Sequence, residues 1–293
     1  MSIRLDLYKI FDQVARSQSF SKGAEKLYMS QPAVSQAIRQ LENELGVMLF
    51  TRTPKGVTLT NEGRVLLEYT SSALNLLGAG EQKLKNTHSL KEGELKIGAT
   101  DTICRHYLLP FLERFSTTYP GIKLKILNRT TGELCNLVKS GEISLGVCSL
   151  PVEERGLTTI QCKEINDVFL GNKKYLHLIN TPLDFAELME FPLIFLDVQS
   201  SSRRYVEEFI LSQGYRLQPE IELGSHDLLL DIAKIGLGIC CAIAEFAESY
   251  LTNDELFEFE LKTPIPKRAI GICYLEGVSL SPAALKLIDL LVE

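Results

Sequence analysis

Apolar positions in the first ninety residues recur with the period of helices. Beyond residue 93 short apolar runs alternate with amphipathic stretches. Leu7, Ile10, Phe11, Val14 and Ala15 stand at i, i+3, i+4, i+7 and i+8, the buried stripe of a helix over 5–17. Ser21 is a candidate cap for a short second helix that turns Ala24 and Leu27 inward, and Tyr28–Met29 breaks it. Ser30 then caps a third helix with Pro32 in its first turn, where the missing N–H costs nothing. Val34, Ile38, Leu41 and Leu45 form its inner stripe, and Gly46 ends it. Residues 49–60 read as two short strands around a turn at Pro54–Gly56, a wing. Thr60 caps a long helix from about 61 to 87, whose Leu67, Thr70, Leu74, Leu77, Glu81 and Leu84 approach a heptad seam. A narrow apolar seam on a lone helix calls for a partner, so this helix is expected to dimerise.

From Gly93 the pattern predicts strands over 94–99, 122–128, 143–148, 166–171, 193–197, 219–223, 237–243 and 269–275. Helices are predicted at about 103–118, 132–140, 202–213, 226–235 and 281–292. Such alternation implies parallel sheets with helices on both faces. The fold class is thus α/β overall: an all-α winged helix-turn-helix at 1–60, a linker helix at 61–90, and a two-lobed α/β domain at 91–293. The lobes are expected to exchange chain near 160–165 and again near 265–270.

Charge sharpens this division. The chain of 293 residues carries −6, yet residues 1–91 hold twelve Lys+Arg against eight Asp+Glu, and the remainder holds 19 against 29. A basic head at +4 on an acidic body at −10 is what one domain meeting phosphates requires. No run approaches the ~20 apolar residues of a membrane span, and the N-terminus has no secretory core, so a cytoplasmic protein with no membrane partner is expected. Seven cysteines without C-x-x-C pairs fit reduced thiols. The four histidines, at 88, 106, 177 and 226, show no i,i+4 pair, so no metal site is expected.

In the third helix the inward stripe leaves Gln31, Pro32, Ser35, Gln36 and Arg39 outward. Gln pairs bidentately with adenine, and Arg with guanine or phosphate. Arg52 and Lys55 flank the wing turn, within reach of phosphates or a minor groove. Taken alone, the helix face reads equally as ordinary solvated surface. The cap, the buried stripe, the local charge and the wing turn the balance toward DNA.

The segment 19–63 closely resembles the DNA-binding domain of LysR-type regulators. SQPAVSQAIRQLE, LG-x-x-LF-x-R and LT-x-x-G arrive in that family's order and spacing. Gly23 departs from the family's usual alanine, at a cost of roughly 1 kcal/mol of helix propensity. YLLPFLERFSTTYPGIKLKI (107–126), SGEISLGV (140–147) and KIGLGICCAI (234–243) resemble the same family's effector domain more thinly. The resemblance implies Ser30, Gln31, Pro32, Ser35, Gln36 and Arg39 in the major groove of promoter DNA, with Arg52 near the backbone. It further implies lobes like those of periplasmic binding proteins, a small-molecule effector rather than a cofactor, a dimer of dimers, and RNA polymerase among the partners.

Ligands of doubly wound lobes bind at strand carboxyl ends beside helix N-termini. That rule marks Thr100, Asp101 and Thr102; Thr130 and Thr131; Cys148 and Ser149; and Ser200, Ser201 and Ser202 with Arg203. Converging hydroxyls and free N–H groups suit a carboxylate, whereas Asp101 would repel one or hold an ammonium, as in an amino acid. For each hydroxyl the competing role is a helix N-cap.

Three other readings compete. A redox sensor would need accessible, low-pKa thiols, and Cys240 and Cys241 lie in an apolar run. An enzyme is not expected: no catalytic motif occurs, and the glycines of KIGLGICC follow a helix and precede a strand, the reverse of a dinucleotide fingerprint. An architectural DNA-binding protein, its second half only an oligomerisation body, would bind DNA without responding to ligands.

Overall fold

The computed structural model describes residues 3–53, 56–85, 90, 92–179 and 181–293, with backbone alone at 52–53 and 82–85. Two compact units emerge. In the first, α1 (Leu5–Ser17), α2 (Phe20–Lys26) and α3 (Gln31–Leu45) pack as a trihelical head. Its core holds Leu7, Phe11, Val14, Val34, Ile38 and Leu41, the predicted stripes. Ser19 rather than Ser21 caps α2, its hydroxyl accepting from the Lys22 amide, because the helix starts at Phe20, two residues earlier than a cap at Ser21 would place it. The wing is β1 (Phe50–Thr53) against β2 (Gly56–Leu59), with Phe50 opposite Leu59 and Thr53 opposite Gly56.

The long helix α4 (Asn61–Lys85) begins where Thr60 accepts from the Gly63 amide at 2.9 Å. A Cβ on Gly63 would sit 2.2 Å from the Leu49 carbonyl oxygen, so only glycine lets this turn lie against the wing. The seam is divided. Leu66 and Leu67 pack on the trihelical core, and Ser71 donates to Asp12 of α1, whereas Leu77 stands 49% exposed. The side chain of Leu84 lies outside the described residues.

The second unit contains two five-stranded sheets. In the first sheet β3 (Gly93–Ala99) lies between β4 (Ile122–Asn128) and β5 (Leu145–Leu150), all parallel. β6 (Leu157–Ile165) forms the far edge, joined through β12 (Arg268–Leu275), which runs against both β5 and β6. The second sheet repeats the plan. β8 (Leu193–Leu196) lies parallel between β9 (Ile221–Leu223) and β10 (Ile239–Ile243), while β7 (Asp167–Gly171) runs against β10 and β11 (Phe257–Phe259). The sheets are therefore mixed, not parallel throughout. β6 and β11 escape the sequence pattern because an edge strand needs no continuous apolar run: β6 is half-exposed along most of LTTIQCKEI.

The chain leaves the first sheet after Ile165 and enters the second at Asp167; it returns between Phe259 and Arg268. Asp167 and Arg268, the first residues of β7 and β12, form a doubly hydrogen-bonded ion pair with side chains 3% and 1% exposed. Arg268 also donates to Ser202 and faces the Tyr205 ring. Arg268→Leu strands a buried carboxylate and should cost about 3–5 kcal/mol. Chemical denaturation of the full chain reads this as an earlier unfolding of the second unit; an unchanged midpoint would contradict the pair's role.

Candidate DNA-binding face and effector cavity

On the head, Ser30 caps α3 by accepting from the Ala33 amide, and Gly46 ends it at φ +70°. Val34, Ile38 and Leu41 point inward, leaving Gln31, Pro32, Gln36 and Arg39 exposed and Ser35 half-buried, hydrogen-bonded to Gln31 at 3.1 Å. One residue the sequence pattern missed steers this face. Glu42 is 8% exposed, and its Oε1 accepts from the amides of Leu49 (2.8 Å) and Phe50 (3.3 Å), tying the end of α3 to the wing. Phe50 then packs between Phe11 and Phe20, at 5.5 and 5.7 Å. Tyr28, fully exposed in the left-handed region at φ +53°, projects from the turn before α3. Arg52 pairs with Val57 through its backbone, its side chain lying outside the described residues, as does all of Lys55.

The second unit holds a cavity of about 300 Å³. Its lining comes almost wholly from the carboxyl ends of six parallel strands. β3, β4 and β5 lead to Thr100–Ile103, Asn128–Thr131 and Ser149; β8, β9 and β10 lead to Leu196–Asp197, Gly224 and Ile243. Helices start there too: α5 (Asp101–Ile103), running through a π-helical turn at Cys104–Leu108 into α6 (Leu109–Thr118); α7 (Thr131–Lys139); α9 (Ser201–Ser212); and α10 (His226–Lys234). Their unpaired N–H groups bring partial positive charge to one space.

Thr100, Asp101, Thr102, Thr130, Thr131, Ser149, Ser200, Ser201 and Ser202 all line it. The capping role divides them. Ser200 caps α9 by accepting from the Arg203 amide. Thr100 stands at the N-cap of α5 without a side-chain cap bond. Thr131 and Ser201 meet each other across the cavity at 3.1 Å, one from each sheet's side.

Two candidates do not reach it. β5 runs to Leu150, two residues beyond the predicted end, so alternation sends Ser149 to the cavity and Cys148 to the opposite face. There Cys148 is fully buried, 3.9 Å from Cys273. Arg203 sits two residues, about 200°, around the helix from Ser201. It is buried among Glu207, Glu222 and the Phe195 ring, with 3% of its side chain exposed.

Charges in the lining are compensated locally. Asn128 donates to Asp101 at 2.8 Å. Glu133 accepts from the Thr130 amide and hydroxyl, which hold its carboxyl below the usual range. Asp197 accepts from the Gln199 amide at 2.9 Å. Next to the cavity Asp227 binds His106 at 2.7 Å and Arg105 at 3.1 Å, linking α10 to the π-helical turn. His106 stacks on Phe246 at 4.9 Å. Burial pushes the thiols of Cys104, Cys162, Cys240 and Cys241 up, away from the thiolate character that redox sensing needs.

His226, missed by the sequence reading, is the buried titratable group of this wall. Desolvation, followed by the neighbouring His106, pushes its imidazole down to about 4. The native ring stays neutral while the unfolded chain takes up a proton as pH falls below about 6.5. Stability from this group is therefore complete above that pH and lost on acidification. The loss from pH 7 to pH 5 should be about 2 kcal/mol, and His226→Asn should remove it. Denaturant unfolding at the two pH values checks this; equal losses in both proteins would contradict it. The carboxylates with lowered pKa values act below that window.

A winged head joined to a two-sheet domain with a polar cavity is the build of a ligand-responsive transcription regulator. Two family models match. The bacterial regulatory helix-turn-helix of the lysR family covers residues 5–64, and the LysR substrate binding domain covers 88–293. The chain belongs to the LysR family: it is a DNA-binding transcription regulator with an effector-binding domain, not an enzyme. Among relatives, the RuBisCO operon transcriptional regulator of Allochromatium vinosum is 26% identical over 97% of this chain and 94% of its own. A probable RuBisCO transcriptional regulator of Cyanidioschyzon merolae is 30% identical over 85% and 86%. The fold matches a full-length OxyR variant from Pseudomonas aeruginosa, with TM-score 0.74, 21% identity, and 100% and 94% coverage. Full-length CbnR with its target DNA matches at TM-score 0.66 and 17% identity, over 99% of both chains. No helix among the described residues is long and apolar enough to cross a membrane.

Proposed function

We propose that the cavity at the six strand ends binds a small carboxylate or amino acid, and that its occupancy sets how the heads engage promoter DNA. The observation that carries this reading is the convergence of four helix N-termini and the hydroxyls of Thr100, Thr131, Ser149 and Ser201 on one space of about 300 Å³. That volume is at the small end of ligand sites. Compensation of Asp101, Glu133 and Asp197 by their own neighbours leaves the N–H groups and hydroxyls to serve the ligand. An acidic rim also gives an ammonium group a place, which supports an amino acid as well as a simple carboxylate.

On the head, Ser30, Gln31, Pro32, Ser35, Gln36 and Arg39 read the major groove, and Arg52 and Lys55 of the wing hold the backbone. The division into a head at 1–60, a linker helix at 61–90 and an effector domain at 91–293 follows from this assignment. Exposed Leu77, together with Val65 and Tyr69, gives α4 an apolar face for a second copy, and effector domains pair in turn to build a dimer of dimers. RNA polymerase is the further partner such a regulator addresses. The architectural alternative has no use for a polar cavity at the strand ends.

Arg39→Ala and Gln36→Ala should each weaken operator binding by roughly 1–3 kcal/mol, about 5- to 150-fold. Quantitative mobility shifts at fixed salt measure it, and unchanged affinity would show that another face reads the DNA. For the cavity, the full chain should gain thermal stability with one or more small carboxylates or amino acids, and Thr100→Ala or Ser201→Ala should abolish the gain. Ligand-independent melting across such a panel would favour the architectural reading.

A further inference from the structure

His226 is 3% exposed, lines the cavity and opens α10. Its Nε2 lies 3.2 Å from the amide nitrogen of Ile243. A backbone amide only donates, so Nε2 accepts, and a neutral ring then carries its proton on Nδ1. Nδ1 is buried with no hydrogen-bond partner among the described residues. The ring thus keeps one N–H with nothing among the described residues to receive it, in the wall of a cavity whose other donors include helix N-termini and side-chain hydroxyls.

A metal is the first competitor, because His106, His226 and Asp227 offer ligand atoms within 4.8 Å of one another. Coordination through Nδ1 would need that nitrogen's lone pair while Nε2 still accepts from Ile243. The ring would then have to be an imidazolate. Metal-bound histidine instead donates through its second nitrogen, the reverse of the bond seen here. Asp227 is also already shared between His106 and Arg105.

We propose that His226 is a specificity-determining residue of the cavity: its Nδ1–H donates to an oxygen acceptor of the effector, a carboxylate or carbonyl oxygen. This inference rests on the assignment of the cavity to the effector. It adds that the end of the ligand beside α10 bears an acceptor and not an ammonium or hydroxyl donor. Because Asp227 follows His226 directly, a ligand held there sits one residue from the contact that ties α10 to Arg105 and His106.

The test pairs acceptors that differ in charge: acetate with acetamide, glutarate with glutaramide, and glycine with glycinamide. Each is titrated calorimetrically into the full chain. His226→Asn places an amide N–H near the Nδ1 position and should leave the best probe within about threefold. His226→Asp places an acceptor there and should weaken it tenfold or more. Binding of the carboxylate member alone identifies a carboxylate, and binding of both members identifies a carbonyl; either fits. Equal binding by wild type and both variants overturns the role of His226 while the cavity stands, and no binding to wild type overturns both. If either variant fails to fold, ¹⁵N solid-state NMR of the histidine-labelled wild-type chain decides, since only four histidines contribute. The Nδ1–H tautomer, with Nδ1 shifted by the best probe, is the expected result. An Nε2–H tautomer, or stoichiometric Zn²⁺ binding lost in His106→Ala, overturns it.

Discussion

The buried pair of Asp167 and Arg268 is the interaction on which the effector domain's geometry depends. The chain crosses between its sheets twice, and this pair ties the first residue after one crossing to the first residue after the other. Two charges taken out of water cost several kcal/mol each, repaid only by good geometry and full hydrogen bonding. Here both carboxylate oxygens are used, and Nη2 of Arg268 reaches on to Ser202 at the start of α9, while its Nη1 is buried with no hydrogen-bond partner among the described residues. The neighbouring Ser201 touches Thr131 across the cavity. A displacement at the crossings would therefore be felt directly at the cavity wall.

From that anchor the cavity follows by construction. Parallel strands in each sheet end on the same side, and the connections at those ends start helices. Two sheets whose strand ends face a common space gather N–H groups and short polar side chains with no single residue being charged for the purpose. Among the described residues the only guanidinium in the lining is that of Arg129, which is exposed and donates from Nη1 to the Asn128 carbonyl. Beside that guanidinium the donors of the lining are uncharged, and His226 is the most enclosed of these.

Local features of this molecule were legible in the chain, and features needing distant partners were not. The stripe of Val34, Ile38 and Leu41 and the cap at Ser30 are set by neighbours within a few residues. Thr100, Thr131, Ser149 and Ser201 were reached because the ends of strands are marked by where apolar runs stop. Cys148 failed because the strand runs on to Leu150, so that alternation turns Cys148 away from the cavity face that Ser149 presents. Arg203 failed because two residues of helix, about half a turn from Ser201, carried it into the core. Glu42 serves amides seven and eight residues on, His226 takes its tautomer from an amide seventeen residues on, and Arg268 finds its carboxylate 101 residues away. No periodicity records such pairings. The α4 seam was legible as a pattern, yet its first half serves its own head, which only the packing of Leu66 and Leu67 reveals.

The central claim is that four segments far apart in sequence form one effector site. Hydrogen–deuterium exchange of the full chain, with and without a stabilising carboxylate or amino acid, tests it most directly. The account predicts simultaneous protection around 100–104, 129–134, 200–205 and 225–229, with little change along the outer edges of the two sheets. Protection confined to one of these segments, or centred on another face of the domain, would contradict it.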